Sequence, residues 1–184
     1  MLILFLMPVS AVFAGQGDVL LNSDTQIRYA DDCFAGHDYG AAAAEYKRFI
    51  YFFPDDERTS HARFDIGMSL FYLQDYAAAL NQFTAIFDRQ GLSATGVESA
   101  WMISRCYRHT GDYRAAIGNL TYLIRLSSGK TVTDHALADK AWHQIGWLYL
   151  ESGDFQQARD AFGRISLSGR AGLDMDTLDA QLKG

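Results

Sequence analysis

Four tetrapeptides set a period through the chain: Gly36-His37-Asp38-Tyr39, Leu73-Gln74-Asp75-Tyr76, Thr110-Gly111-Asp112-Tyr113 and Ser152-Gly153-Asp154-Phe155. Their aromatic residues lie 37, 37 and 42 positions apart, and each is followed three residues later by an alanine: Ala42, Ala79, Ala116 and Ala158. A recurrence of about 20–50 residues marks an architecture of stacked units, none of which can bury its apolar face alone.

The chemistry of each recurring position specifies a helix hairpin. An Asp just ahead of an apolar period can accept an orphan backbone N–H and face the positive end of the helix dipole. The Ala lets two helices approach closely. Four residues on, a large side chain shares its face: Tyr46, Phe83, Leu120 and Phe162, with Phe49, Ile86, Leu123 and Ile165 one turn further. Upstream of each Asp runs a second helical period in which a bulky residue precedes a small one: Tyr29-Ala30, Ile66-Gly67, Ile103-Ser104 and Ile145-Gly146. Three residues after the small one come Cys33, Leu70, Tyr107 and Tyr149. This predicts helices over 24–36 and 39–52, 60–73 and 76–89, 96–110 and 113–127, and 135–151 and 155–165. Two prolines in 184 residues, and 49% hydrophobic content, suit an all-α domain with an ample core.

The arrangement resembles the tetratricopeptide repeat, whose pattern is a bulky-small pair, an aromatic, a Gly-x-aromatic turn, an Ala and a large apolar residue. Trp142, Ile145, Gly146, Tyr149, Gly153, Phe155, Ala158 and Phe162 carry it most completely, and the resemblance spans residues 24–165. It implies a right-handed superhelix, a solenoid of about four antiparallel hairpins. Two departures are a spacing longer than the usual length of about 34 and a closing proline present only as Pro54. The longer repeats and the run Phe52-Phe53-Pro54-Asp55-Asp56 are similar to tetratricopeptide proteins of the bacterial cell envelope, among them barrel-assembly lipoproteins and partners of the Tol-Pal system. No lipobox precedes Cys33, so the lipoprotein branch is not implied.

The ends read differently from the repeats. Residues 1–14 are an apolar run with Val12 and Ala14 ahead of Gly15, the pattern of a signal peptide cleaved after Ala14, although no Lys or Arg precedes it. A spanning helix needs about 20 apolar residues, so an N-terminal membrane anchor is the alternative to a periplasmic or secreted protein. Residues 15–23 form an N-terminal segment. In the segment 166–184, Met175, Leu178 and Leu182 recur at helical spacing, predicting a short helix that caps the last hairpin.

Composition also excludes function classes. Acidic residues outnumber basic ones by 22 to 16 and the formal net charge is −6, which argues against a phosphate-neutralising face and hence against a nucleic-acid partner. The five histidines show no metal-ligand spacing, and no phosphate loop or nucleophile elbow occurs, so the expectation is no enzyme, no metal and no cofactor. Cys33 and Cys106 fall on first helices two repeats apart, too far for a bridge.

The resemblance implies that the inner face of the stack, lined by the first helix of each hairpin, is the working surface. Residues there that the hairpin pattern does not claim are Phe34; Phe64, Met68 and Phe71; Trp101, Arg105 and Arg108; and His143 and Trp147. Aromatics and arginine dominate interface energetics. Positions that would hold the Lys and Asn of the family's carboxylate clamp carry Ile27 and Asp31, or Phe64 and Met68, so a free C-terminal tail is not the expected ligand. The expectation is a protein or peptide partner held by a scaffold in the bacterial cell envelope, with association to a membrane-bound complex through that partner. Alternatives are a carrier of a small apolar or glycan ligand, and an accessory domain of an envelope enzyme complex.

Overall fold

The computed structural model describes residues 22–127 and 132–165. The described residues form eight helices: α1 (Ser23–Ala35), α2 (Tyr39–Phe52), α3 (Thr59–Tyr72), α4 (Tyr76–Gln90), α5 (Ala94–His109), α6 (Tyr113–Ser127), α7 (Val132–Ser152) and α8 (Phe155–Gly163). Every predicted boundary holds to within three residues. Each helix packs on the next and α3 also meets α5, giving an all-α solenoid of four stacked hairpins. The expected signal segment, most of the N-terminal segment and the expected capping helix lie outside the described residues. No described helix is long and apolar enough to cross a membrane.

The four Asp residues act as the period predicts. The carboxylates of Asp38, Asp75, Asp112 and Asp154 accept the backbone N–H groups of Ala41, Ala78, Ala115 and Gln157 at 3.1, 3.0, 2.9 and 3.1 Å. Their own N–H groups donate backwards to the carbonyls of Cys33, Leu70, Tyr107 and Tyr149 at 2.8–3.0 Å, closing the preceding helix. The residue just before each Asp has positive φ: His37 and Gln74 at 63°, Gly111 at 77° and Gly153 at 83°. This is the Schellman arrangement, which favours glycine because a Cβ is strained there. Gln74 is exposed, and among the described residues its side chain has no hydrogen-bond partner. Gln74→Gly should therefore raise stability by about 0.5–1 kcal/mol, read as a higher urea midpoint at unchanged m-value.

Within each hairpin, a small residue on the first helix faces a large one on the second. A Cβ added at Gly67 would lie 2.7 Å from the Phe83 ring, and one at Gly146 would lie 2.5 Å from that of Phe162. Both rings are fully buried. The third hairpin solves the same contact with polar atoms. There Ser104 stands on the first helix and the shorter Leu120 on the second, and Asn119 of α6 donates to Ser104 Oγ at 2.8 Å and to the Ala100 carbonyl at 2.7 Å. Ala42, Ala79, Ala116 and Ala158 are all fully buried, as close helix approach requires. Cys106 is buried in the core between α3 and α5, whereas Cys33 packs with α1 and α2, and both thiols are free.

Between hairpins, Arg58 ties the link after α2 to the start of α1. Its guanidinium reaches Asp24 and Asp56, both at 2.7 Å, and Ser23 Oγ at 3.0 Å. Those bonds hold the Asp56 carboxyl well below the usual carboxylate range.

Candidate functional site

Two adjoining cavities lie between α5 and α7. One, of about 530 Å³, is walled by Arg105, Arg108, His143, Trp147, Leu148 and Glu151. The other, of about 410 Å³, is walled by Val97, Glu98, Trp101, Met102 and Lys140. Arg105 and Gln144 belong to both. Five of the nine residues expected from sequence thus converge here: Trp101, Arg105, Arg108, His143 and Trp147. They do so because residues at the same repeat position, on first helices packed side by side, face one another across a single helix spacing.

The other four lie elsewhere. Phe64 and Phe71 are only 6% exposed, and the expectation that they offer groove surface is corrected by their packing. Phe64 meets the buried Phe83 edge to face at 5.3 Å, and Phe71 is enclosed by Tyr76 and His109 beneath the Arg105 guanidinium. Phe34 packs against Tyr39 and Tyr72 near the hairpin turns of the first two repeats. Met68 is half-buried against the core of α3–α5. Single-helix periodicity could not reveal these burials, since the covering atoms come from other helices.

Each groove side chain is held in a particular way. Trp147 is 43% exposed. Its ring stands edge-on to Phe162 at 6.0 Å, and its indole N–H donates to His143 Nε2 at 3.2 Å, one helical turn away. That bond needs His143 neutral with its proton on Nδ1. Burial also favours the neutral ring by lowering its pKa. Arg108 forms a two-pronged ion pair with Glu151, Nε to Oε2 at 2.7 Å and Nη2 to Oε1 at 2.6 Å, joining α5 to α7. Trp101 is half-buried between two cores, with the Lys140 ammonium 5.0 Å from its ring centroid. Arg105 is exposed, with its guanidinium 4.8 Å from the centre of the Phe71 ring. Lys140, Gln144, Glu98 and Glu151 were missed by sequence reasoning. Their signal was present, since Lys140, His143, Gln144, Trp147 and Glu151 recur at helical spacing, but polar residues on a helix look like solvated surface until a neighbouring helix is placed.

Asp65 of α3 sits largely buried, and burial first, then the carboxylates Asp31 of α1 and Glu98 of α5, push its pKa up to about 6, opposed by His61 at 3.5 Å. A carboxyl whose folded pKa lies above its unfolded value stabilises the fold fully below about pH 4, and that contribution is lost as pH rises through about 6. Asp65→Asn should accordingly be more stable than wild type at pH 8, by on the order of 1 kcal/mol. Urea titrations at pH 8 and pH 4 check this, because the gain should shrink at the lower pH. Among the described residues no cluster of His, Cys, Asp and Glu could hold a metal ion.

Comparison with known proteins addresses the family. A tetratricopeptide repeat description matches residues 64–130, and a second of the same name matches residues 139–165, together about half of the chain. Comparison by sequence with curated proteins finds no match. Among solved structures, a tetratricopeptide repeat protein from Parabacteroides merdae superposes with a TM-score of 0.67 at 16% identity, over 88% of this chain and 59% of that one. This chain thus spans less than two thirds of that protein's length. MamA from Desulfovibrio magneticus RS-1 (residues 41 to the end) gives 0.61 at 13% identity, covering 83% and 78%. BtubC from P. vanneervenii gives 0.62 at 14%, covering 88% and 65%. At these identities the likeness shows a shared fold. With four hairpins in the predicted register and the family pattern matched across three of them, the chain belongs to the tetratricopeptide repeat proteins.

Proposed function

We propose that this protein is a non-catalytic adaptor of the bacterial cell envelope that seats one segment of a partner protein in the groove between α5 and α7. The tetratricopeptide fold supports a protein-interaction module. The observation that carries the site is the convergence of Trp101, Arg105, Arg108, His143 and Trp147 on two cavities that share a wall. Aromatic and arginine side chains of this kind, partly exposed and held by neighbours, present binding surface at low entropic cost.

A photo-cross-linking residue placed at Gln144 tests this directly. It should capture a partner in living cells, whereas the same residue at Lys47, on the exposed face of α2, should not. Equal capture at both positions, or capture at Lys47 alone, removes the groove reading. Envelope location rests on the apolar segment 1–14. It is tested by fusing residues 1–30 to alkaline phosphatase, which is active only after export; an inactive, stably expressed fusion removes it.

A further inference from the structure

We infer that the groove recognises an internal acidic residue of its partner, flanked on both sides by bulky apolar residues. This rests on the groove reading above and adds the chemistry of the ligand.

Charge complementarity carries the acidic centre. The two cavities meet at Arg105 and Gln144, which line both. Among the described residues, no carboxylate lies within ion-pair distance of Arg105 or Lys140. One Arg105 nitrogen reaches only the Met102 sulfur, at 3.4 Å, and the guanidinium stacks on Phe71, which leaves N–H groups facing the groove without an anionic acceptor. Arg108 is different, because Glu151 already holds it in a two-pronged pair. The remaining carboxylate, Glu98, also acts on Asp65 of α3. Two cations without a carboxylate partner among the described residues, against one carboxylate, make a locally positive spot on a chain whose formal charge is −6. A guanidinium beside a side-chain amide is a donor pair suited to a carboxylate, and charge-assisted hydrogen bonds are about twice as strong as neutral ones.

The flanking positions follow from the shape. On one side of Arg105 and Gln144 the cavity offers Trp147, over the buried Leu148; on the other it offers Trp101 and Val97, over the buried Met102. Room of comparable size on both sides lets a bound chain continue in both directions. A free C-terminal carboxylate seated at Arg105 would leave one of the two cavities empty, so the acidic group belongs inside the segment.

The test uses a set of twelve-residue peptides, acetylated and amidated, with one central Glu and a Leu or Phe placed one to three residues away on each side. Matched sets carry Gln or Lys at the centre, and a further set ends in a free carboxylate. Binding is read from the intrinsic fluorescence of Trp101 and Trp147, with Trp147→Ala as the marker of groove occupancy. The best Glu peptides should bind about tenfold or more tightly than their Gln counterparts. Arg105→Gln, checked for folding by circular dichroism, should erase that difference, and Lys140→Gln should reduce it. If Glu and Gln peptides bind equally and Trp147→Ala weakens both, the acidic specificity is wrong while the groove reading stands. Preference for the free-carboxylate set overturns the internal placement. If no set binds, or if binding ignores Trp147→Ala, both readings fall.

Discussion

Gly67→Val should lower the free energy of unfolding by about 2–3 kcal/mol, a fall of roughly 5–10 °C in melting temperature for a chain of this size. The cause is the position of the Phe83 ring, 2.7 Å from where any Cβ would stand. That ring is fully buried and cannot swing into solvent. Alanine would meet the same ring but would recover about 1 kcal/mol of helix propensity relative to glycine. Valine adds two further carbons, stiff at χ1, and recovers less. The third hairpin suggests the rescue, since Leu120 there lies in the position of Phe83, with Ser104 in that of Gly67. Gly67→Ala combined with Phe83→Leu should cost less than the sum of the two single changes, and calorimetry on the four proteins measures the coupling. Additive losses would show that the two positions do not share a contact.

Trp147→Ala should weaken capture of the partner cross-linked at Gln144 by about 2 kcal/mol, or roughly thirtyfold, while α7 stays folded. Its side chain is 43% exposed, whereas Ile145 and Leu148, which anchor the same helix, are buried. Lys47→Ala is the control and should change affinity little. Trp101→Ala is a poorer probe because its ring is half-buried between two cores, so its loss should lower the melting temperature as well as affinity. Equal affinity of wild type and Trp147→Ala, with the fold confirmed by circular dichroism, would remove Trp147 from the binding surface.

Much of the fold was legible because the signals are local. The Asp that caps each second helix, the Ala that permits close approach and the large residue four positions on are all set by the geometry of one hairpin. The site was legible in part. Spacing placed Trp101, Arg105, Arg108, His143 and Trp147 on first helices, and the family resemblance implied that those helices line an inner face. Phe64 and Phe71 followed the same spacing, yet Phe83 and Tyr76 of α4 and His109 of α5 bury them, a fact that depends on three-dimensional stacking. The pairing of Arg108 with Glu151 was hidden for the same reason. Their 43-residue separation becomes contact only when α5 lies beside α7.

The turn inside each hairpin has a consequence for how this chain can vary in length. One Asp both closes the outgoing helix, through its N–H, and caps the incoming one, through its carboxylate, so no residue can be inserted there without separating two jobs held by a single residue. The four turns are accordingly the same size, from Ala35 to Tyr39, Tyr72 to Tyr76, His109 to Tyr113 and Ser152 to Phe155 to within one residue. Variation is confined to the links between hairpins and to helix length, where the third interval gains its extra residues: α7 has 21 residues against 13 to 16 in the other first helices. The links are therefore the natural seams of the molecule. Whole hairpins could be removed, duplicated or exchanged by cutting at those seams, and cuts at the turns would leave two helices with unsatisfied ends.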